Sequence, residues 1–137
     1  MNENLNDLRY PLSETAGDAL QAASGRAFRD ISLDTVISGA ITAEDLRIRA
    51  ETLEAQAEIA RQAGYIRLAV NLLRAAELTG VPNTELLQMY EMLRPERSTY
   101  EQLLELAARL EEQYHAPHTA GFVREAAEVY TNRGLLK

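Results

Sequence analysis

The sequence predicts an all-α fold, a small bundle of antiparallel helices preceded by an extended N-terminal arm. Three observations point there. Alanine and leucine supply 21 and 20 of the 137 residues against only 11 valines plus isoleucines, a balance that suits helices and starves strands of β-branched bulk. From Ser32 onward, capping residues, glycine stops and prolines divide the chain into lengths suited to helices. Between those stops the apolar residues recur every three or four positions instead of alternating. A mass of 15.3 kDa suits one domain with an arm, not two full cores, so the division expected is an arm over residues 1–30 and a helical bundle over 31–137.

The arm carries Pro11, Gly17 and Gly25, and its apolar residues Leu5, Leu8, Leu12, Leu20 and Phe28 hold no lasting period. Such a segment cannot bury those groups by itself, so it is either disordered or laid along a partner surface. In ISLDTVISG, Ser32 is an N-cap and Gly39 a stop; in ITAED, Thr42 caps with Asp45 three residues on, giving two short helical turns. Residues 51–63 place Leu53, Ala57 and Ala60 on one helical face, with Gly64 at the left-handed position after the end. Residues 65–79 carry two stripes, one through Ile66, Ala69, Val70, Leu73 and Ala76, the other through Leu68, Leu72 and Ala75, which predicts the central helix.

Gly80 and Pro82 break the chain, and Leu86, Met89, Tyr90 and Leu93 then mark a helix ending near Arg94 and Pro95. Ser98 with Glu101 reads as a capping box for a helix whose face is Leu103, Leu106, Ala107, Leu110 and Tyr114. A last helix has Phe122, Val123, Ala126, Val129 and Tyr130 in phase and ends near Gly134. Short connections between these helices imply antiparallel neighbours.

Charge and composition narrow the partners. Fourteen basic against 21 acidic residues leave a net charge of -7, which disfavours nucleic acid and anionic membranes. Without cysteine there is no disulfide, thiolate nucleophile or cysteine metal cage. The start MNENLNDLRY lacks the blocks of a secretory signal and no apolar run is long enough to span a bilayer, so a soluble cytoplasmic protein is expected. Thirteen of the 14 basic residues are arginine, which fits either a surface rich in interface ion pairs or, more simply, GC-rich coding.

Chemistry is sparse. Glu101, Glu105 and Arg109 share the face opposite the leucine stripe, where Glu105 and Arg109 form an ordinary helix pair, and Glu44 and Asp45 suit the start of a helix. His115 and His118 beside Glu111 and Glu112 are the residues to weigh for zinc, but Pro117 between the histidines removes the shared helical spacing. There is no phosphate loop or nucleophile elbow. Ala60, Gly64 and Val70 have helix-turn-helix spacing, with Arg67, Asn71 and Arg74 pointing outward, although no basic cluster follows. The residues alone leave a small helical binding or regulatory protein, including a helix-turn-helix DNA-binding form of one.

In order along the chain, YPL (Tyr10 to Leu12), GRAFRDISLDTVISG (Gly25 to Gly39), ITAEDLRI (Ile41 to Ile48), TLEAQAEIA (Thr52 to Ala60), RAAELTGVPNTELLQMYEMLRPERST (Arg74 to Thr99) and FVREAAEVY (Phe122 to Tyr130) resemble the small (gamma) subunit of the adenosylcobalamin-dependent diol and glycerol dehydratases. The resemblance implies a mostly helical accessory subunit. It implies as partners a large (alpha) subunit, whose β/α barrel holds the substrate and a potassium ion, and a medium (beta) subunit, with adenosylcobalamin between those two. Two heterotrimers pair, and the holoenzyme converts propane-1,2-diol, glycerol or ethane-1,2-diol to aldehyde and water. It places no catalytic, cofactor-binding or metal-binding residue on this chain, and leaves residence in a bacterial microcompartment open.

The contacts to the large subunit are then expected from Tyr10, Pro11 and Leu12 in the arm, from the turn with Arg94, Pro95 and Arg97, and from Phe122, Arg124 and Glu125, with core packing the alternative for Phe122. Two departures stand out. Only nine residues precede YPL, which resembles the glycerol-type form, and the helix after Arg49 opens at Ala50 without the Ser or Thr cap such a start favours.

Overall fold

The computed structural model describes residues 9–137; Leu5 and Leu8 of the arm lie outside them. The described residues form seven α-helices and two 3-10 turns and contain no strand beyond one isolated antiparallel bridge, Gln21 to Ala27. The all-α expectation holds. The helices are α1 Leu12–Thr15, α2 Leu33–Ile37, α3 Ala50–Gln62, α4 Ile66–Leu78, α5 Asn83–Met92, α6 Tyr100–Tyr114 and α7 Pro117–Arg133, with 3-10 turns at Phe28–Asp30 and Ala43–Leu46. Contacts divide the chain into two compact units, one ending at Ala76 and one beginning at Glu77.

In the N-terminal unit the caps fall where the sequence puts them. Ser32 accepts from the Thr35 amide at the start of α2, and Thr42 and Asp45 close a reciprocal box on the second 3-10 turn. Helix α3 starts at Ala50 with no side-chain cap and ends at Gln62, with Ala63 as C-cap followed by Gly64, whose φ of 85° only glycine adopts without strain. The small core joins Ala57, Ala60 and Ala69, with Leu72 and Leu73 against it. Helix α4 is not the enclosed central helix that its stripes suggest. Only Ala69 and Ala76 are buried, while Ile66, Leu68 and Val70 are exposed.

The C-terminal unit holds the larger core, in which Leu103, Ala107, Ala116, Ala120, Val123 and Ala127 are fully buried. Helices α6 and α7 are joined by His115 and Ala116 alone, and the pairs Tyr100–Glu128 and Glu111–Arg124 show that they run antiparallel. Alanines on the facing stripes let the two backbones approach closely. His115 takes the left-handed C-cap (φ 52°), and Pro117 opens α7 at a position where its missing N–H is no loss.

Two details differ from the sequence reading by a single step. Helix α6 is capped by Thr99 with Gln102, not by Ser98 with Glu101. Ser98 is buried, and its hydroxyl donates to the Met92 carbonyl at 2.9 Å, closing the last turn of α5. The motif STYEQ offers S-x-x-E and T-x-x-Q one residue apart, and the bond to Met92 decides between them. Thr99→Ala should therefore lower stability by about 1 kcal/mol while Glu101→Ala leaves it unchanged, as read from the urea midpoint of unfolding. Along α7 the buried stripe is Ala120, Val123 and Ala127 with Tyr130, so Phe122 and Val129 lie outside it.

Candidate subunit-contact site

The first expected contact segment turns on Tyr10–Pro11, a cis peptide, and the two residues flanking the proline part company. Tyr10 is 75% exposed, whereas Leu12 is 4% exposed and packs inside this chain. Thr15 Oγ1 donates to the carbonyls of Arg9 (2.5 Å) and Pro11 (3.3 Å), holding the entry to α1. Tyr10, Pro11 and Leu12 line an open groove of about 380 Å³ together with Phe28, Leu46 and Ile48.

Behind that groove sits a buried carboxylate. Asp45 accepts from Ser24 Oγ (2.6 Å), the Thr42 amide (2.8 Å) and Thr42 Oγ1 (3.2 Å), and Arg26 Nε lies 3.0 Å away. These partners, the Ser24 hydroxyl first, hold its pKa well below the ordinary carboxylate range. The network ties residues 24–26 to 42–45, and the backbone pairs Ala22 N to Arg26 O (2.9 Å) and Ala23 N to Arg47 O (3.1 Å) complete the frame. The groove is thus built on fixed walls.

The second expected segment is the turn after α5. Arg94 and Arg97 both reach Glu91, at 3.1 Å and 3.4 Å, and Pro95 is exposed between them. Glu96 adopts a positive φ of 65°, and its amide donates to the Leu135 carbonyl at 2.7 Å. With Lys137 N donating to Ser98 O (3.0 Å) and Tyr130 Oη donating to Leu93 O (2.5 Å), the C-terminal tail clamps this turn. The third segment lies on α7: Phe122 is 43% exposed, Arg124 is paired with Glu111 across the hairpin, and Glu125 is exposed. From Glu125 to Leu135 is about 15 Å along the chain at helical rise, so the turn and the Phe122 segment are separate patches of the C-terminal unit.

Sequence reasoning missed the most exposed apolar group. On α2, Leu33 and Ile37 are 73% and 75% exposed, Val36 is also open, and Leu46 on the following 3-10 turn is 70% exposed. The sequence shows that Leu33, Val36 and Ile37 share one face of α2 at i, i+3 and i+4, but not whether that face is covered. Most of the exposed large apolar side chains fall in the N-terminal unit.

The competing motifs resolve differently. A helix-turn-helix needs Val70 buried against the preceding helix, and Val70 is 39% exposed. Arg109 pairs with Glu85 of α5 (3.5 Å), not with Glu105. His118 does not turn to His115: its Nδ1 lies 2.7 Å from Glu77 Oε1, which also accepts from the His118 amide (2.9 Å). The other oxygen of Glu77 accepts from the Thr119 amide (2.8 Å) and hydroxyl (2.7 Å). Glu77 therefore caps α7, whose own N-cap residue, Ala116, has no side chain to do so. Among the described residues no group of three or more His, Cys, Asp or Glu could hold a metal ion, and no helix is long and apolar enough to cross a membrane.

Residues 5–137 match the model of the dehydratase small subunit family. The chain is 48% identical over 128 residues to a propanediol dehydratase small subunit of Salmonella typhimurium (strain LT2), and 47% identical over 128 residues to that of Citrobacter freundii. Each alignment covers 93% of this chain and 74% of the relative. A helical chain with its apolar surface turned outward is what a subunit in need of partners looks like, and the chain belongs to the dehydratase small subunit family.

Proposed function

We propose that this chain is the non-catalytic small subunit of an adenosylcobalamin-dependent dehydratase acting on short 1,2-diols, propane-1,2-diol or glycerol, in a dimer of heterotrimers with large and medium subunits. The match at 47–48% identity to propanediol dehydratase small subunits over 93% of the chain carries this reading. A cytoplasmic location goes with it, free or inside a microcompartment. Adenosylcobalamin on the partner subunits would supply the radical that starts water removal, and potassium would sit in the large subunit. His118 of this chain is held at the Glu77 cap.

The residues of this chain contribute by association. Tyr10, Pro11, Arg94, Pro95, Arg97, Phe122, Arg124 and Glu125 form the proposed contact set, with Leu12 fixing the arm from inside and the segment 1–30 acting as the arm laid on the partner. Burying such patches stabilises the assembled enzyme by mass action, since the subunits bind only the folded chain. Affinity purification of the tagged chain from its native cells tests this directly. Large and medium subunits should copurify with aldehyde-forming activity when adenosylcobalamin and diol are added; a chain that emerges alone and inactive under gentle conditions overturns the assignment.

A further inference from the structure

The groove behind Tyr10 points beyond the contact residues expected from the sequence, on the footing of the subunit reading. We propose that the groove bounded by Tyr10, Phe28, Leu46 and Ile48 is the docking site for an apolar segment of a partner dehydratase subunit, and that Arg47 and Arg49 on its wall receive a carboxylate from that segment.

Three features support a protein segment of this chemistry. The floor is rigid before anything binds, because Leu12 and Ala22 are buried and the Asp45 network fixes both walls, so little ordering cost remains for docking. The lip is unusually wet for apolar side chains: Tyr10, Leu46 and Ile48 are each at least half exposed. Ile31 in the wall leads straight into α2, whose Leu33, Val36 and Ile37 extend the apolar surface beyond the groove, which suits a macromolecule and exceeds the reach of a small ligand.

Charge fixes the polarity of the partner. The charged residues of the lining are Asp45, Arg47 and Arg49. The Asp45 charge is consumed inside by Arg26, Ser24 and Thr42, so the wall presents two partly exposed guanidinium groups in a chain whose net charge is -7. Their present partners, Glu44 for Arg47 (3.2 Å) and Glu51 (3.4 Å) and the Gln21 side-chain carbonyl (3.0 Å) for Arg49, are solvent-exposed and therefore cheap to exchange. An incoming carboxylate held by a guanidinium fork in a closed interface gains more than these surface pairs lose.

The test uses the full chain co-produced with the large and medium dehydratase subunits. The double variant Leu46→Glu, Ile48→Glu should weaken association at least roughly thirtyfold, the scale of a central apolar hot spot. Leu87→Glu, on the exposed face of α5, should bind as the parent does. Arg47→Glu with Arg49→Glu should slow association and flatten its salt dependence. Tyr10→Ser, at the lip and outside the core, should weaken binding roughly tenfold and covers the case in which the double variant loses helix content. The groove assignment is overturned if the groove variants bind like the parent, or if Leu87→Glu loses as much; in both cases the parent still holds its partners and the subunit reading stands. If the parent chain retains no dehydratase subunit, both fall together. A parent that instead forms a homodimer in sedimentation, broken by the groove variants, names a second copy as the occupant and overturns the partner assignment.

Discussion

Leu103→Ala should cost the C-terminal unit roughly 2–5 kcal/mol, while Leu104→Ala beside it should cost less than about 1 kcal/mol. Leu103 is fully buried in the core of the C-terminal unit, where Ala107, Ala116, Ala120 and Ala127 are already small. Small neighbours have no side-chain atoms to move into the space a truncated leucine leaves, so the cavity term persists beside the lost transfer energy. Leu104 is about one third exposed, one residue out of the stripe. Urea unfolding followed by helix content reads both variants, and equal midpoints for the two would contradict a helix α6 that turns Leu103 inward and Leu104 outward.

Glu77→Ala should cost roughly 1–3 kcal/mol, because the carboxylate satisfies amides at the start of α7 that no residue of the preceding loop reaches. Burial is the largest single influence on the Glu77 pKa and pushes it up, but the Thr119 hydroxyl, the His118 and Thr119 amides and the His118 ring together outweigh it, so the pKa lies below its ordinary value of 4.5. A carboxylate depressed on folding contributes stability that is fully present above pH 4.5 and is lost as the pH falls through the folded pKa. Glu77→Gln keeps the shape and removes the titration. With His118→Gln in both chains, which removes the imidazole beside Glu77 Oε1, the difference in stability between parent and variant should be constant from neutrality down to about pH 5 and shrink below it. A difference that grows toward acid would refute the cap.

The sequence made the local features legible. Ser32, Thr42 with Asp45, Gly64 and the stripe from Leu103 to Leu110 all stand in the structure where periodicity and capping rules place them. It was weaker where two neighbouring residues satisfy the same rule. Ser98 and Thr99 both read as caps, and Phe122 and Val123 both fit the α7 stripe; in each case a contact outside the helix itself, to Met92 O and to the α6 face, made the choice. It was silent on Glu77, since its partners stand 41 and 42 positions away with no motif between them. For the contact site, composition announced surplus apolar residues, but only the fold shows that Leu12 turns inward and Leu33, Ile37 and Leu46 turn outward.

The position of the α6–α7 hairpin in the chain bears on how the protein is made. Its contacts join helices separated by two residues, the kind of local pairing that nucleates fastest. Yet it follows the N-terminal unit in the chain, and a ribosome adding about 5–20 residues per second exposes that unit for several seconds before the hairpin exists. During that interval the emerged chain closes upon the alanine-rich core of α3 and α4 with Leu12, Ala22 and Leu53, and its α2 leucine and isoleucine remain in water. If the groove assignment holds, the surface that a partner covers is complete before the hairpin is, and the relative timing of subunit synthesis should then change the yield of assembled enzyme.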